Sequence, residues 1–354
     1  MSGKDPEAEN GGMRVAIIGG GVAGLAAAYA LRQAALEVDL FEAAGRLGGR
    51  VSTRRHGAAQ FDDGAQFFRP EAQETFALLR ESLPARDLVD IPDGVVPFAS
   101  DGRLTAGDAA QNALPKLVYR SGIAQLPRLL ALAAKATVHL GFAATGLRRE
   151  RGHWRIESPR GTTRAYDVVV LTPPAPVAAA IVAASTFDRE TRDRLEGALR
   201  AVEYRGIISI AFGLHHLPGR PLGAYALVNL DRGHAISWLA FEHAKPGYVP
   251  NDQAVIVAQM ADAWSRPRMA SQDREITADA SAEVAGLLQE PIVPVWCEVT
   301  RWPFALPNAT ADPEGVSLAQ QLGLYIAGDG VAGPRAHLAL ESGRAAAARI
   351  RLRL

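Results

Sequence analysis

Three glycines near the N-terminus have a spacing that could hold the diphosphate of a dinucleotide. Gly19, Gly21 and Gly24 follow the apolar, β-branched segment 14–18, which is typical of a buried parallel strand. An alanine-rich stretch to about Gln33 then predicts a helix. In this pattern the first glycine permits a tight turn and the second lets phosphate approach the backbone, while the third lets helix and strand pack closely. The sequence therefore predicts a dinucleotide-binding turn.

The start of that helix and the end of the next strand complete the predicted unit. Backbone N–H groups at Val22 and Ala23 would point at the phosphates, where the helix dipole favours negative charge. A second strand over 37–41 ends at Glu42, which lies 18 residues beyond Gly24. A carboxylate at this position can bind ribose hydroxyls, and it disfavours a 2′-phosphate.

The next residues indicate which dinucleotide is bound. Residues 42–50 read EAAGRLGGR, which resembles the second signature of the FAD-dependent family that includes amine oxidases, protoporphyrinogen oxidase and phytoene desaturases. The resemblance implies non-covalent FAD, with the guanidinium of Arg50 neutralising the diphosphate. Ala44 stands where many members have another arginine, so one contact of the family is expected to be missing. The contacts implied in this segment are Ala43, Gly48, Gly49 and Arg50.

Three later segments match the same family. Residues 137–157 alternate like a small β-meander, which would cover the adenine, and 166–174 reads as an interior strand. Near the C-terminus, GLYIAGD over 323–329 predicts a strand, followed by a helix from about Ala336 to Arg351. The resemblance implies that Asp329 binds the ribityl chain and that the helix N-terminus faces the flavin pyrimidine. The contacts implied here are Gly328, Asp329, Ala336, His337 and Leu338.

Further motifs resemble the renalase-like branch of this family: FDDGAQFF over 61–68, ISWLAFEHAKPGY over 236–248 and RWPFALP over 301–307. That branch implies hydride transfer from a small reduced nitrogen heterocycle, a dihydronicotinamide isomer, to flavin N5, with O2 then reduced to H2O2. Such a reaction needs no general base, only a stacked ring and exclusion of water. Gly64, Ala65 and Gln66 would contact the flavin. The expected catalytic wall is Gln66, Phe68, Trp302, Phe304 and His337, although ordinary core packing explains any single aromatic residue equally well.

Some residues depart from the branch or suggest other chemistry. His337, Leu338 and Asp63 differ from most renalase-like sequences and could reshape the pocket. Lys245 lies in a Lys-Pro-Gly turn, so it is expected in an exposed loop rather than beside the flavin. Cys297 lies in an apolar strand and is expected to be a buried structural thiol.

Composition excludes several classes. The 354 residues carry zero formal net charge, so neither nucleic acid nor anionic lipid is an expected partner. One cysteine and scattered histidines predict no metal site, and there is no G-x-S-x-G elbow. The apolar run 15–31 could mimic a signal peptide, but its regular glycines favour a cytoplasmic enzyme. Residues 1–12 are expected to be a disordered leader.

The predicted fold is α/β, with a discontinuous Rossmann-type FAD-binding domain and an inserted mixed-sheet α+β substrate domain. The first comprises 13–75, 117–177 and 318–354, and the second comprises 76–116 and 178–317. The leading function is an FAD-dependent oxidase acting on a dihydronicotinamide or an amine, with O2 as acceptor. An amine oxidase or desaturase-type dehydrogenase is the first alternative. A non-redox isomerase of the nucleotide-sugar mutase type is the second, although no arginine cluster for another diphosphate is evident. The sequence leaves the oligomeric state open.

Overall fold

The computed structural model describes residues 12–219 and 223–353. The predicted leader therefore lies, apart from Gly12, outside the described residues. The chain divides into two compact units. Unit 1 comprises 1–49, 127–203 and 307–354, and unit 2 comprises 50–126 and 204–306.

The strands of the described residues are β1 (Arg14–Ile18), β2 (Glu37–Glu42), β3 (Thr53–His56), β4 (Ala59–Asp62), β5 (Leu88–Asp90), β6 (Gly94–Phe98), β7 (Leu117–Tyr119), β8 (Thr137–Leu140), β9 (Gly146–Glu150), β10 (His153–Ser158), β11 (Gly161–Thr162), β12 (Val168–Leu171), β13 (Tyr204–Leu214), β14 (Ala224–Asn229), β15 (Ile236–Phe241), β16 (Ala254–Met260), β17 (Trp296–Pro307) and β18 (Leu324–Ile326). The α-helices are α1 (Val22–Leu31), α2 (Gln73–Ala77), α3 (Ala109–Ala113), α4 (Gln125–Ala134), α5 (Ala175–Ala183), α6 (Arg189–Arg200), α7 (Asp262–Ser265), α8 (Asp273–Leu288), α9 (Pro313–Ser317), α10 (Asp329–Ala332) and α11 (Ala336–Arg351). No helix in the described ranges is long and apolar enough to cross a membrane.

Unit 1 is built on a parallel five-stranded sheet in the order β18-β12-β1-β2-β8. Its central strand β1 is apolar on both faces, and Val15, Ala16 and Ile17 are fully buried, as helix-covered parallel strands require. Ile18 lies beside Phe41 on one side and Leu171 on the other, so the carboxyl ends of these strands meet at one edge. Ligands of open α/β sheets bind at such an edge.

The predicted meander is partly wrong. Its first part, β8, joins the parallel sheet beside β2, and the antiparallel meander consists of β9, β10 and β11. The alternation of β8 resembles a meander strand because it lies at the sheet edge and is only partly covered. Trp154 of β10 is fully buried, and its indole N–H donates to the Leu322 carbonyl at 2.9 Å.

Unit 2 is built on a mixed six-stranded sheet in the order β17-β13-β16-β15-β14-β6. The sequence predicts strands over 206–214, 224–231, 234–242, 254–261 and 293–301. The first four agree with β13 to β16, but the fifth is β17, which covers 296–307. Helix α8 packs on one face of the sheet, with Ile276 and Val284 completely buried in the core. The predicted α/β fold class, with one parallel and one mixed sheet, is confirmed.

The units divide the chain differently from the predicted domains. Segments 50–75 and 117–126 fall in unit 2, because the hairpin β3–β4 and the pair β5–β7 pack within it. Segments 178–203 and 307–317 fall in unit 1, where α6 packs against α5. The assignment of the units to cofactor and substrate stays a prediction.

Candidate cofactor site

The glycine turn of unit 1 has room for a ligand at one position only. A Cβ on Gly24 would lie 2.0 Å from the Gly19 carbonyl oxygen, and Gly19 itself has φ +107°. These two glycines are required by the fold. A Cβ on Gly21, in contrast, would meet nothing within 4 Å. The space in front of Gly21 therefore fits the close approach of a diphosphate to the backbone.

The N-terminus of α1 begins at this space. Gly21 is its N-cap residue, and no side chain caps the helix. The first intrahelical bond runs from the Leu25 N–H to the Gly21 carbonyl at 3.0 Å. The predicted contacts Val22, Ala23 and Gly24 thus lie in the first turn, where the helix dipole attracts negative charge.

Glu42 holds the loop that follows β2. Its Oε2 accepts a hydrogen bond from the Gly20 N–H at 2.6 Å, and its Oε1 accepts one from the Ala44 N–H at 2.8 Å. Each carboxylate oxygen has a second lone pair, so hydroxyl groups of a ribose could still bind. Sequence reasoning assigned only the ribose contact and missed this bracing of the loop.

The second FAD signature folds back onto the first. The Gly48 N–H donates to the Gly20 carbonyl at 2.8 Å, and a Cβ on Gly49 would lie 3.6 Å from the Gly21 Cα. Gly49 has φ +55°, a conformation that glycine adopts readily. Ala43 is exposed beside this loop.

The C-terminal motif reaches the same part of unit 1. Gly328 (φ +119°) precedes the buried Asp329, and a Cβ on Gly328 would lie 4.0 Å from the Ala23 Cβ. The predicted N- and C-terminal cofactor segments are therefore brought together. At the start of α11, which has no side-chain cap, His337 is buried while Ala336 and Leu338 are half-buried.

In unit 2 the residues after Gly49 have intramolecular partners. Nη1 of Arg50 donates to the carbonyls of Phe304 and Ala305, each at 3.0 Å. The Ala65 N–H donates to the Arg50 carbonyl at 2.9 Å, and a Cβ on Gly64 would lie 2.0 Å from that oxygen. Close packing explains Gly64, so the predicted cofactor contacts of Arg50, Gly64 and Ala65 stay predictions.

Of the predicted catalytic wall, Gln66, Phe68, Trp302 and Phe304 lie in unit 2, and His337 lies in unit 1. Phe68 is 1% exposed, and its backbone pairs with Leu117, which identifies it as a core residue. The half-buried Trp302 donates its indole N–H to the Asp63 carbonyl at 2.7 Å. The ring of the half-buried Phe304 lies edge-on to Tyr204, with 5.9 Å between centroids. None of these contacts tests a catalytic role.

Lys245 is not in an exposed loop, contrary to the prediction. Its ammonium lies 2.9 Å from Asp62 Oδ2 and 2.8 Å from Glu242 Oε1, and all three side chains are 0% exposed. Tyr248 also donates its hydroxyl to Asp62, at 2.7 Å. Desolvation lowers the pKa of Lys245, but the two carboxylates outweigh it and the pKa is raised. Desolvation also raises the pKa of Glu242, to about 7.

Gln66 belongs to this buried cluster. Its amide nitrogen donates to the Asp62 carbonyl at 2.6 Å, and its oxygen accepts from Lys245 at 3.3 Å and from the Tyr225 hydroxyl at 3.4 Å. Both the nitrogen and the oxygen of the Gln66 amide are therefore hydrogen-bonded to protein groups, which the sequence pattern did not indicate.

Sequence reasoning missed a neighbouring group of aromatic rings. Phe67 and Trp238 are both half-buried, and their ring centroids are 6.1 Å apart. Tyr225 lies 6.0 Å from Trp238 and 6.3 Å from Phe67. The alternation of buried Gln66, half-buried Phe67 and buried Phe68 could have identified Phe67 as the residue on the other face.

Two further predictions concern metal binding and the thiol of Cys297. The described residues contain no group of three His, Cys, Asp or Glu side chains that could hold a metal ion. Cys297 is half-buried rather than fully buried, and burial raises the pKa of its thiol to about 11. The thiolate that would react with an electrophile is thereby disfavoured.

Two family models match the chain. Residues 17–82 match the NAD(P)-binding Rossmann-like domain, and residues 100–351 match flavin containing amine oxidoreductase. A curated relative, protoporphyrinogen oxidase 2 of Arabidopsis thaliana, is 40% identical over 81 residues, which are 23% of this chain and 16% of that protein. The chain thus matches a small part of this relative's length.

Solved structures share the fold over nearly the whole chain. An Exiguobacterium sp. 255-15 protein assigned as a protoporphyrinogen oxidase has a TM-score of 0.79 at 16% identity, covering 97% of this chain and 99% of that one. Wild-type putrescine oxidase bound to putrescine has a TM-score of 0.70 at 16% identity, covering 96% and 99%. A fatty acid isomerase from P. acnes has a TM-score of 0.73 at 13% identity, covering 95% and 98%.

Proposed function

The chain belongs to the flavin-containing amine oxidoreductase family and is an FAD-dependent oxidoreductase; from this premise we propose that it oxidises a small reduced nitrogen heterocycle of the dihydronicotinamide type. Oxygen is the proposed electron acceptor. The observation that carries the proposal is the open space at Gly21, where a Cβ would meet no atom within 4 Å, beside the uncapped N-terminus of helix α1 and between the family's two FAD signatures. This opening fits a diphosphate that is held by backbone N–H groups.

FAD bound here would supply the acceptor for the hydride, and O2 would then take up the two electrons with two protons to give H2O2. The chain's own residues have the task of binding and orientation. The first turn of α1 holds the diphosphate, and Glu42 holds the ribose while keeping the 42–44 loop in place. Asp329, buried at the start of α10, is placed to accept from hydroxyl groups of the ribityl chain.

The ionisable groups near the turn 62–68 support a substrate that needs no base. Asp62, Glu242 and Lys245 are fully buried and bound to one another, so their charges are engaged inside the protein. A dihydropyridine loses hydride without prior deprotonation. The half-buried rings of Phe67 and Trp238, tilted by 46° to each other, supply apolar faces that such a ring can pack against.

Oxidation of an amine is the second candidate, and the same aromatic rings favour it. An alkylammonium group binds aromatic faces through the ring quadrupole. The chain shares its fold with putrescine oxidase, whose name gives an amine as its substrate. The amine would have to lose its proton before hydride transfer, a step that a dihydronicotinamide does not require.

Anaerobic mixing of the FAD-loaded protein with dihydronicotinamide isomers, and separately with putrescine, tests the two candidates. The proposal expects a dihydronicotinamide isomer to bleach the oxidised flavin absorbance, with H2O2 appearing once air is admitted. If only putrescine bleaches the flavin absorbance, the activity is amine oxidation instead. If neither class reduces the flavin, both assignments are wrong.

A further inference from the structure

Every residue of the turn Asp62–Gln66 is fixed by a side chain or backbone group from elsewhere in unit 2. Thr300 donates to the Asp63 carboxylate at 2.8 Å, and Gln259 donates to the Gly64 carbonyl at 2.6 Å. The Asp62 N–H donates to Glu242 at 3.0 Å. A turn that is held at each residue is preorganised, because moving it would break several buried hydrogen bonds together.

Lys245 is the member of this network that joins both ends of the turn. An ammonium has three N–H donors, and three acceptors surround this one: Asp62 Oδ2 at 2.9 Å, Glu242 Oε2 at 3.0 Å and the Gln66 side-chain oxygen at 3.3 Å. All three donors are therefore used inside the protein. The ammonium has none left for a substrate or a flavin nitrogen.

The cluster is a costly way to stabilise a core. Burying ions carries a desolvation penalty, and well-packed apolar residues often stabilise a core as much or more. A buried ionic network does, however, fix the orientation of each polar group that it contacts. Here it fixes Gln66, and through the Gln66 oxygen the hydroxyl of Tyr225, which packs against Phe67 and Trp238.

We propose that Lys245 is a positioning residue for the oxidation: its ammonium fixes the 62–68 turn and the adjoining aromatic rings without contacting substrate or cofactor. This inference rests on the proposed function, because that turn carries the predicted flavin contacts Gly64 and Ala65. Removing the ammonium loosens the turn and lowers turnover.

Protonation of Glu242 provides an independent readout. The groups that face this carboxyl are Lys245 from its own segment, Asp62 from β4, Tyr225 from β14 and Tyr248. Burial raises the pKa of Glu242 to about 7, so below that pH the cluster of Lys245, Asp62 and Glu242 is neutral. Above it the cluster carries one uncompensated negative charge beside the turn.

The test compares Glu242→Gln with Glu242→Gln/Lys245→Met. The first variant keeps a neutral Lys245–Asp62 pair, and the second leaves one carboxylate, whose oxygens still accept from Tyr248 and Thr53. Lys116→Met is the matched control, because Lys116 is also a buried lysine of unit 2 and its ammonium donates to the Asn112 carbonyl at 3.1 Å. Amide hydrogen exchange of 62–68, visible circular dichroism of bound FAD, and kcat and KM are measured.

We expect the double variant to show faster amide exchange over 62–68, an altered flavin dichroism and a kcat at least about ten-fold lower at similar KM, as displacement of a reacting group by about 1 Å would produce. Glu242→Gln and Lys116→Met should keep the wild-type exchange and spectrum at pH 6. Equal exchange and dichroism in Glu242→Gln and the double variant would overturn the proposal. These two readouts need no substrate, so they decide it even if the proposed oxidation fails.

If the double variant does not fold, the proposal is tested by comparing how the wild type and Glu242→Gln depend on pH. Wild-type flavin dichroism and log kcat should then titrate near pH 7, and Glu242→Gln should lack that titration. Superimposable profiles would rule out coupling of the cluster to the site.

Discussion

Gly343 of α11 packs directly on Ala23 of α1: a Cβ added at Gly343 would lie 2.0 Å from the Ala23 carbonyl oxygen. This contact brings the C-terminal helix against the first turn of the predicted diphosphate-binding helix. The two elements are more than 300 residues apart in sequence but lie in one unit. The integrity of the cofactor site therefore depends on a glycine that is not part of any FAD signature.

Gly343→Ala should move the two helices apart and displace Ala23. Overpacking of this kind typically costs about 1–3 kcal/mol of unfolding free energy, and the purified protein should contain less FAD. Gly197→Ala is the control, because Gly197 lies inside α6 of the same unit with nothing within 4 Å of its Cβ position. The control should be neutral or gain up to about 1 kcal/mol, since alanine favours helix. Denaturant unfolding and flavin content measure both; equal behaviour would contradict the packing argument.

Gly21→Ala should impair FAD binding, whereas Gly24→Ala should impair the stability of the fold. Gly21 has φ −73°, and its Cβ would point into open space, so the apo variant should unfold like wild type. Its FAD affinity should fall by at least about ten-fold, because the methyl group would occupy the diphosphate position. Gly24→Ala should lower the stability of the apo protein itself, because its Cβ would collide with Gly19. Titration of the apo proteins with FAD and thermal unfolding separate the two effects; wild-type FAD affinity in Gly21→Ala would place the diphosphate elsewhere.

Glu42→Ala should weaken FAD binding by several-fold or more, because it removes a ribose acceptor and frees the 42–44 loop. Glu42→Gln should retain part of the affinity, since its amide oxygen can still accept one of the two backbone N–H bonds. Glu37→Gln is the control at the far end of β2, where Glu37 pairs with the exposed Arg164. Fluorescence titration with FAD measures all three, and unchanged flavin content in Glu42→Ala would count against the ribose assignment.

The first three elements of unit 1 could be predicted closely because their signals are local. Apolar runs, glycine spacing and the acid at the end of β2 specify β1, α1 and β2 within residues 14–42. The same is true of β18 and α11, whose predicted and observed bounds nearly coincide. The packing of α11 on α1 could not be predicted from spacing alone. The approach of Gly343 to Ala23 depends on the folded sheet of unit 1, which holds both helices in place.

The environment of Lys245 could not be predicted, because its partner Asp62 lies 183 residues away. A Lys-Pro-Gly sequence is typical of an exposed turn, and only the long-range pairing shows that the side chain is directed inward. The contacts of Gln66 with this cluster could not be predicted for the same reason. Its alternation with Phe67 and Phe68 indicates two faces, but the sequence does not say which face meets the buried charges.

Glu242→Gln should change how the stability of the protein depends on pH. The folded pKa of Glu242 is raised from 4.5 to about 7, so the folded state binds this proton more tightly than the unfolded state. Stability from this group is present in full below about pH 4.5 and is lost as the pH rises to about 7. Glutamine does not titrate, so the variant should gain on wild type across this window and be more stable at pH 8, by up to about 3 kcal/mol for a shift of this size. Urea unfolding from pH 5 to pH 8 measures the difference in unfolding free energy between the variant and the wild type, and the other titrating groups cancel in that difference. If the two plots of unfolding free energy against pH are parallel, Glu242 stays ionised throughout.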